Sequence, residues 1–351
     1  MKTSGQSLRV VGLLTVLCLV WPVVAQAGRL ITDSAGRQVE IPDHVERVIA
    51  AGPPASALVY VLAPEKLIGW NRKPSTEELA YLSPSVANRP EIGRLTGRGG
   101  SANVEVVLGA KPDLIVDYGS VTETYVSLAD RVQSQTGIPY ILIDGRFAKT
   151  PETLRLLGSI FGTTERAEKL ARRMEEIFAE TDRAVAAVPS DKRPRVYLAR
   201  GPRGLETGNR GSIHTEVVER AGGVNVVDAG LERGGLYNVS VEQVLAWNPD
   251  TIIMIDRNFL DSVRSTPGWS ATTALRDGRL YLSPRLPYGW VDAPPSINRL
   301  MGLQWLSRLF FPERFKDDVR TVTRDFYATF YQVQLTDAAL DRLLQDAQPA
   351  R

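Results

Sequence analysis

The chain is 351 residues long, with 42 Lys and Arg, 40 Asp and Glu, two His and a single Cys, for a formal charge of +2. So even a balance leaves no electrostatic footprint for nucleic acid or an anionic membrane surface. One cysteine excludes internal disulfides, thiolate zinc sites and iron–sulfur ligation, and a chain this long divides into more than one folded unit.

Residues 1–27 read as a secretory signal. Lys2 and Arg9 flank its start, an apolar run occupies 10–21, and Ala25-Gln26-Ala27 is a small-x-small cleavage site. The apolar run is too short to span a bilayer comfortably. Cys18 lies inside it behind Leu17, where a lipid-anchored signal carries a small residue, so the expected mature chain begins at Gly28 without a thiol or a lipid. Removing Lys2 and Arg9 with no acid brings its charge close to zero.

Short β-branched runs then alternate with helical patterns, the mark of parallel strands with crossover helices. Strands are expected at 47–51, 66–70, 113–117 and 139–143, and again at 195–199, 251–255 and 279–282. Between the two groups, 164–188 carries the longest helical pattern, with Ala167, Leu170, Ala171, Met174, Ile177, Phe178, Thr181 and Val185 on one face. Thr163 or Thr164 is the expected cap, and Glu165/Lys169, Glu168/Arg172 and Arg172/Glu176 are i,i+4 pairs on the other face. At 1.5 Å per residue such a helix is about 36 Å long, a stiff connector rather than a flexible hinge. The tail, 312–331 and 336–347, reads as two amphipathic helices over the second half.

One element occurs twice. Asn103-Val104-Glu105-Val106-Val107-Leu108-Gly109-Ala110-Lys111-Pro112-Asp113-Leu114-Ile115-Val116 returns 137 residues later as Ser240-Val241-Glu242-Gln243-Val244-Leu245-Ala246-Trp247-Asn248-Pro249-Asp250-Thr251-Ile252-Ile253. The offset is too long for a solenoid period. It implies two similar α/β lobes, each with a short helix, a Pro-Asp turn and a buried strand, with a cleft between them. The expected division is a signal peptide at 1–27, an N-terminal lobe at 28–150, a connecting helical backbone at 151–189 and a C-terminal lobe at 190–351.

With the 211–227 stretch GSIHTEVVERAGGVNVV, these features resemble the helical-backbone class of periplasmic substrate-binding proteins that serve ABC importers for iron–siderophore, haem and cobalamin. The resemblance covers essentially the whole mature chain. It implies two Rossmann-like lobes joined by a single long helix, a periplasmic location, no cofactor, and action as a monomer with a permease dimer and its ATPase. It also implies that Glu105 and Glu242 sit on the lobe tops and pair with permease arginines. A glutamate in a helix's first turn is favourable to the dipole by itself, about 0.3–1 kcal/mol. Two at equivalent places fix orientation as well as attraction, which favours docking.

Ligands of open α/β sheets gather beyond the carboxyl ends of the strands. The turns there carry Arg72, Tyr118, Arg146, Arg200, Arg257 and the 285–290 stretch with Tyr288 and Trp290. Arginine matches carboxylate, catecholate and oxyanion geometry with paired hydrogen bonds, and the aromatic residues offer flat surface for a large chelate. The reading is an anionic metal chelate, with a ferric siderophore first and cobalamin, haem and molybdate- or tungstate-type oxyanions as alternatives. Arg200 is expected to form the charged floor. His44 and His214 stand in different lobes, neither near another ligand at metal spacing, and no direct protein–metal site is expected. The competing class is an exported two-lobe hydrolase, with Asp117, Asp144 and Asp256 as acid/base candidates. No Gly-x-Ser-x-Gly elbow, His-Glu-x-x-His helix or phosphate loop supports it.

Overall fold

A computed structural model describes residues 28–97, 102–227 and 235–349. The expected signal sequence lies outside the described residues. An antiparallel hairpin, β1 (Gly28–Thr32) and β2 (Gln38–Pro42), precedes a parallel three-stranded sheet of β3 (Val48–Ala50), β4 (Leu114–Gly119) and β5 (Tyr140–Asp144) in that order. The second sheet is also parallel, β11 (Leu280–Leu282), β10 (Thr251–Met254), β6 (Arg195–Ala199) and β8 (Val224–Asn225), with a ribbon of β7 (Glu206–Gly208) and β9 (Leu236–Asn238) beside it. Parallel strands need cover on both faces, and β4 and β10 are buried almost throughout. The expected strand at 66–70 shrinks to bridges from Leu67 to Val48 and from Trp70 to Glu91. β3 is three residues long, so its free edge has room for little more.

The alternation along each strand divides the core. Val48, Ala50, Leu114, Val116, Ile141 and Ile143 face one cluster that also holds Val196, Leu198 and Ile253 of the second sheet. Ile49, Ile115, Tyr140 and Leu142 face an outer cluster of the first lobe, and Tyr197, Ile252 and Met254 an outer cluster of the second. The inner faces of the two lobes therefore share one continuous apolar core.

The first lobe and the spine carry α1 (Pro53–Leu62), α2 (Val104–Gly109), α3 (Glu123–Thr136), α4 (Thr150–Phe161) and α5 (Thr164–Ala186), with a single helical turn at Thr76–Leu79 between α1 and α2. α5 is the expected spine, 23 residues long, and its eight buried residues are the eight of the periodic face. Its N-terminus differs from expectation, because Thr163 makes no side-chain cap bond and only its carbonyl accepts, from Ala167 N–H. Of the expected surface pairs Glu168–Arg172 forms at 2.6 Å, and Arg155 of α4 bonds both Glu168 and Glu175, so the polar face of the spine is tied to its neighbour.

Beyond it lie α6 (Glu216–Arg220), α7 (Val241–Trp247), α8 (Arg299–Phe310), α9 (Val319–Phe326) and α10 (Asp337–Gln345). The sequence reading missed α8. Residues Arg299 to Ser307 are all buried, and a helix covered on every side has no polar face to reveal its period. Gly302 permits that cover, since a Cβ there would stand 2.1 Å from the Trp290 carbonyl oxygen. The tail touches the second lobe, where Trp305 Nε1 donates to Ala347 O at 3.3 Å and Arg308 Nε to Asp317 O at 2.8 Å. It also reaches beyond the expectation onto the first lobe and the spine, with Tyr60 Oη donating to Tyr331 O at 3.0 Å, Tyr81 Oη to Ala339 O at 2.8 Å and Arg166 Nη2 to Phe330 O at 3.0 Å. Phe326, Tyr327, Phe330 and Tyr331 need a broad apolar surface, and the ring of Tyr60 lies 5.3 Å from that of Tyr331.

Candidate functional site: an arginine-lined cleft

A cleft of about 1300 Å³ lies at the carboxyl ends of both parallel sheets. It is lined by the start of α1 (Pro53, Pro54), the turn Asn71-Arg72, the end of β4, one face of α3, Arg200 after β6, and the 285–295 loop after β11. Four of the expected ligand residues line it: Arg72, Tyr118, Arg200 and Tyr288. Arg146, Arg257 and Trp290 are not among the described residues that do.

Local packing explains each placement. Arg72 is largely exposed but bonded by both terminal nitrogens to Glu78, at 2.9 and 2.7 Å. Glu78 is itself fixed, because it closes a capping box with Ser75, whose N–H it accepts at 2.7 Å. Next to it Asn71 is buried, donating to Ala50 O and Gly93 O and accepting from Ser56 Oγ at 2.6 Å. Arg200 is mostly buried between Glu206, 3.0 Å from its Nε, and Asp292, which meets its Nη1. Asp292 is fully buried and lies 3.0 Å from Nδ1 of His214, so His214 also enters the cleft wall. Tyr118 is 1% exposed, and its hydroxyl is taken up by Thr150 Oγ1 at 2.9 Å and Arg299 Nη2 at 3.4 Å, so it shapes the floor. Tyr288 is half-buried on the second-lobe wall, and burial pushes its phenol upward.

Arg146 turns back on Asp144, two residues away, with Nε 2.6 Å from the carboxylate. Arg257 reaches Asp346 at the end of the chain. Trp290 is fully buried, donating its indole N–H to Tyr327 Oη at 3.2 Å.

The structure adds residues that the sequence reading did not select. Arg94, Arg131 and Arg285 line the cleft with Arg72 and Arg200. Arg131, on α3, and Arg285, after β11, are exposed and make no hydrogen bond or ion pair among the described residues. Arg285 stands in a strand-end turn and was legible there. Arg131 sits in mid-helix, where nothing local distinguishes a ligand arginine from a solvated one. Asp117 is a buried carboxylate in the wall, accepting from Thr96 Oγ1 at 3.2 Å and Tyr140 Oη at 3.1 Å, and burial raises its pKa from 3.8 to about 6.

Below the cleft Arg299, 0% exposed, joins the lobes. Its Nη1 donates to Glu216 Oε1 at 2.5 Å and Ile213 O at 2.9 Å, its Nη2 to Gly145 O at 2.6 Å, and its Nε to Ser296 O at 3.2 Å. Glu216 also accepts the Phe147 N–H at 2.8 Å. The two repeat glutamates lie elsewhere, each exposed in the first turn of its short helix, Glu105 on α2 capped by Asn103 and Glu242 on α7 capped by Ser240. Hydrogen bonds from its own N–H and from Ser240 hold Glu242 below the usual carboxylate range. Among the described residues no three His, Cys, Asp or Glu cluster as a metal site, and no helix is long and apolar enough to cross a membrane.

The family model described as periplasmic binding protein matches residues 57–285. The molybdate-binding protein MolA of Haemophilus influenzae is 28% identical over 341 residues, covering 88% of this chain and 92% of that protein. The fold is similar to an ABC transporter solute binding protein from Sulfurospirillum deleyianum, with a TM-score of 0.81, 28% identity and coverage of 90% of this chain and 99% of the other. It is also similar to molybdate-bound MolA, with a TM-score of 0.73, 25% identity and coverage of 88% and 99%. The chain belongs to the periplasmic binding protein family.

Proposed function

We propose that this binding protein of an ABC importer captures an anion in the cleft between its lobes and presents it to the permease without altering it. The observation that carries the reading is the pair Arg131 and Arg285, one from each lobe, exposed on the wall of one cleft with no ion-pair partner among the described residues. An anion bridging them supplies that partner, and each charge-assisted hydrogen bond contributes about 1.5–3 kcal/mol.

Among anions, a molybdate-type oxyanion stands first, because similarity to MolA runs along nearly the whole of both chains. This reverses the order expected from the sequence, which placed a ferric siderophore ahead of oxyanions. A bulky anionic chelate remains the second reading. The cleft volume of about 1300 Å³ favours it, being above the roughly 300–1,000 Å³ of ordinary small-molecule pockets. Export through a cleaved signal at 1–27, a monomeric state and docking through Glu105 and Glu242 complete the proposal.

Calorimetric titration with molybdate, tungstate, ferric citrate, a ferric catecholate and cobalamin tests it. An anion that binds tightly should bind roughly ten- to a hundredfold more weakly to Arg285→Ala and to Arg131→Ala. Tight binding only of uncharged ligands, with both variants indistinguishable from the parent, refutes the anion reading.

A further inference from the structure

Two of the cleft arginines reach solvent already paired, and the two pairs differ in what is free to move. Arg200 is mostly buried between Glu206 and Asp292. Arg72 has 65% of its side chain exposed, whereas its partner Glu78 has 13%. Glu78 is anchored apart from Arg72, since its carboxylate accepts the Ser75 N–H at 2.7 Å while its own N–H donates to Ser75 Oγ at 3.2 Å. Among the described residues the Arg72 side chain is held otherwise only by one bond to the neighbouring Lys73 carbonyl, at 3.2 Å. Tyr288, from the other lobe, stands near enough to both partners to feel their charges. Both side chains line the cleft, and the arginine, more exposed and less anchored, is the freer of the two to leave the pair.

From this asymmetry we infer that Glu78 is an internal competitor that occupies the Arg72 guanidinium until a ligand anion displaces it, and so sets how strongly an anion must bind to take that arginine. The inference rests on the reading that the cleft takes an anion. A monoanion that takes Arg72 merely replaces one carboxylate-like partner by another and still meets the Glu78 charge left behind. A dianion of the same shape is attracted more strongly by Arg72 and the other arginines and repelled more strongly by Glu78, so the competitor lowers the affinity of both and of the dianion at least as much.

Tungstate and perrhenate, tetrahedral anions of similar size with charges of −2 and −1, are the probes. Glu78→Gln is the informative variant, because glutamine still fits the N3 position of a capping box, so the helix that carries it is kept. In calorimetric titrations of the full mature chain the parent should favour tungstate strongly. Glu78→Gln should bind perrhenate about tenfold more tightly than the parent and tungstate by at least as much, the factor expected for one charge-assisted bond no longer contested. The same substitution made in Arg72→Ala should have a clearly smaller effect on either anion. Unchanged melting temperatures confirm that the variants are folded. If tungstate binds the parent and is weakened by Arg285→Ala, yet Glu78→Gln leaves both affinities as they were, the competitor role is wrong and the anion reading stands. A gain of undiminished size in Arg72→Ala also overturns it, since Glu78 would then act by general repulsion alone. If only ferric citrate binds, the Arg72 and Glu78 variants are read on that ligand, with the same gain and the same dependence on Arg72 required. If none of the three binds, the anion reading and this inference fall together.

Discussion

Replacing Arg299 by methionine removes a fully buried guanidinium that bonds groups of both lobes, and the loss follows bond by bond. Methionine fills much of the volume but donates nothing. Among the described residues the Glu216 carboxylate keeps only the Phe147 N–H and the Gly145 and Ile213 carbonyls lose their donor, while Ser296 O keeps the backbone N–H of residue 299. Breaking one side of a buried pair costs about 3–5 kcal/mol, and these carbonyls belong to the same loss, so about 4 kcal/mol is expected for the variant. Against a total of roughly 5–15 kcal/mol this is a large fraction. Burial raises the pKa of Glu216 and the charge of Arg299 opposes the rise, so the variant carboxylate moves further up. An acid raised in the folded state destabilises once it ionises, and the loss should therefore be greater at pH 7.5 than at pH 5. Urea denaturation of Arg299→Met, Glu216→Gln and the double variant measures this, and the double variant should lose less than the sum of the singles. A loss below about 1 kcal/mol for Arg299→Met at pH 7.5, or strictly additive losses, refutes the view of Arg299 as the inter-lobe tether.

Asp117 predicts a pH effect of known sign: its folded pKa of about 6 lies above the ordinary 3.8, so the folded state holds the extra proton between those values and stability falls as pH rises through the window. The shift corresponds to about 3 kcal/mol, and Asp117→Asn should flatten the fall between pH 4 and pH 7.5 by about that amount in urea titrations, whereas parallel curves for parent and variant would exclude it. Reversing charge in Glu105→Arg or Glu242→Arg should leave ligand affinity unchanged and reduce import, the double change more than either single one. Normal import by both single variants would leave the two glutamates as helix-end charges.

What could be read from the chain, and what could not, divides by sequence separation. The spine was legible to its eight buried residues because a 3.6-residue period over 23 residues is a local pattern. The strands after the two repeats, β4 and β10, were legible as apolar runs behind Pro-Asp turns. At the site, the strand-end rule located turns but not directions. Arg146 turns away from the cleft to an acid two residues back, a pairing that its spacing allowed one to foresee. Arg257 meets Asp346 89 residues on, and nothing near either residue announces it. Trp290 was chosen as an aromatic residue in a cleft loop, yet glycine 302 lets that loop lie against α8, and the indole goes into the core. His214 and Asp292, 78 residues apart, form a pair that only the assembled wall reveals.

The same long-range contacts bear on how capture can work. A wide closure of two lobes requires that they meet only at the connector, and here the inner faces of both sheets share an apolar cluster with the spine, α8 and the tail. Moving the lobes far apart would expose that cluster at about 25 cal/mol per Å² and draw Arg299 away from Gly145 and Tyr118. Small rotations about α5 leave both intact. With so little lobe movement available, the selectivity of the cleft must come from groups that rearrange within it. Arg72 is the exposed member of a pair whose other member is fixed, and Arg131 and Arg285 are exposed on the two walls. On this account the scaffold is stiff so that exchange of partners by a few guanidinium groups, rather than closure of the lobes, decides what is bound.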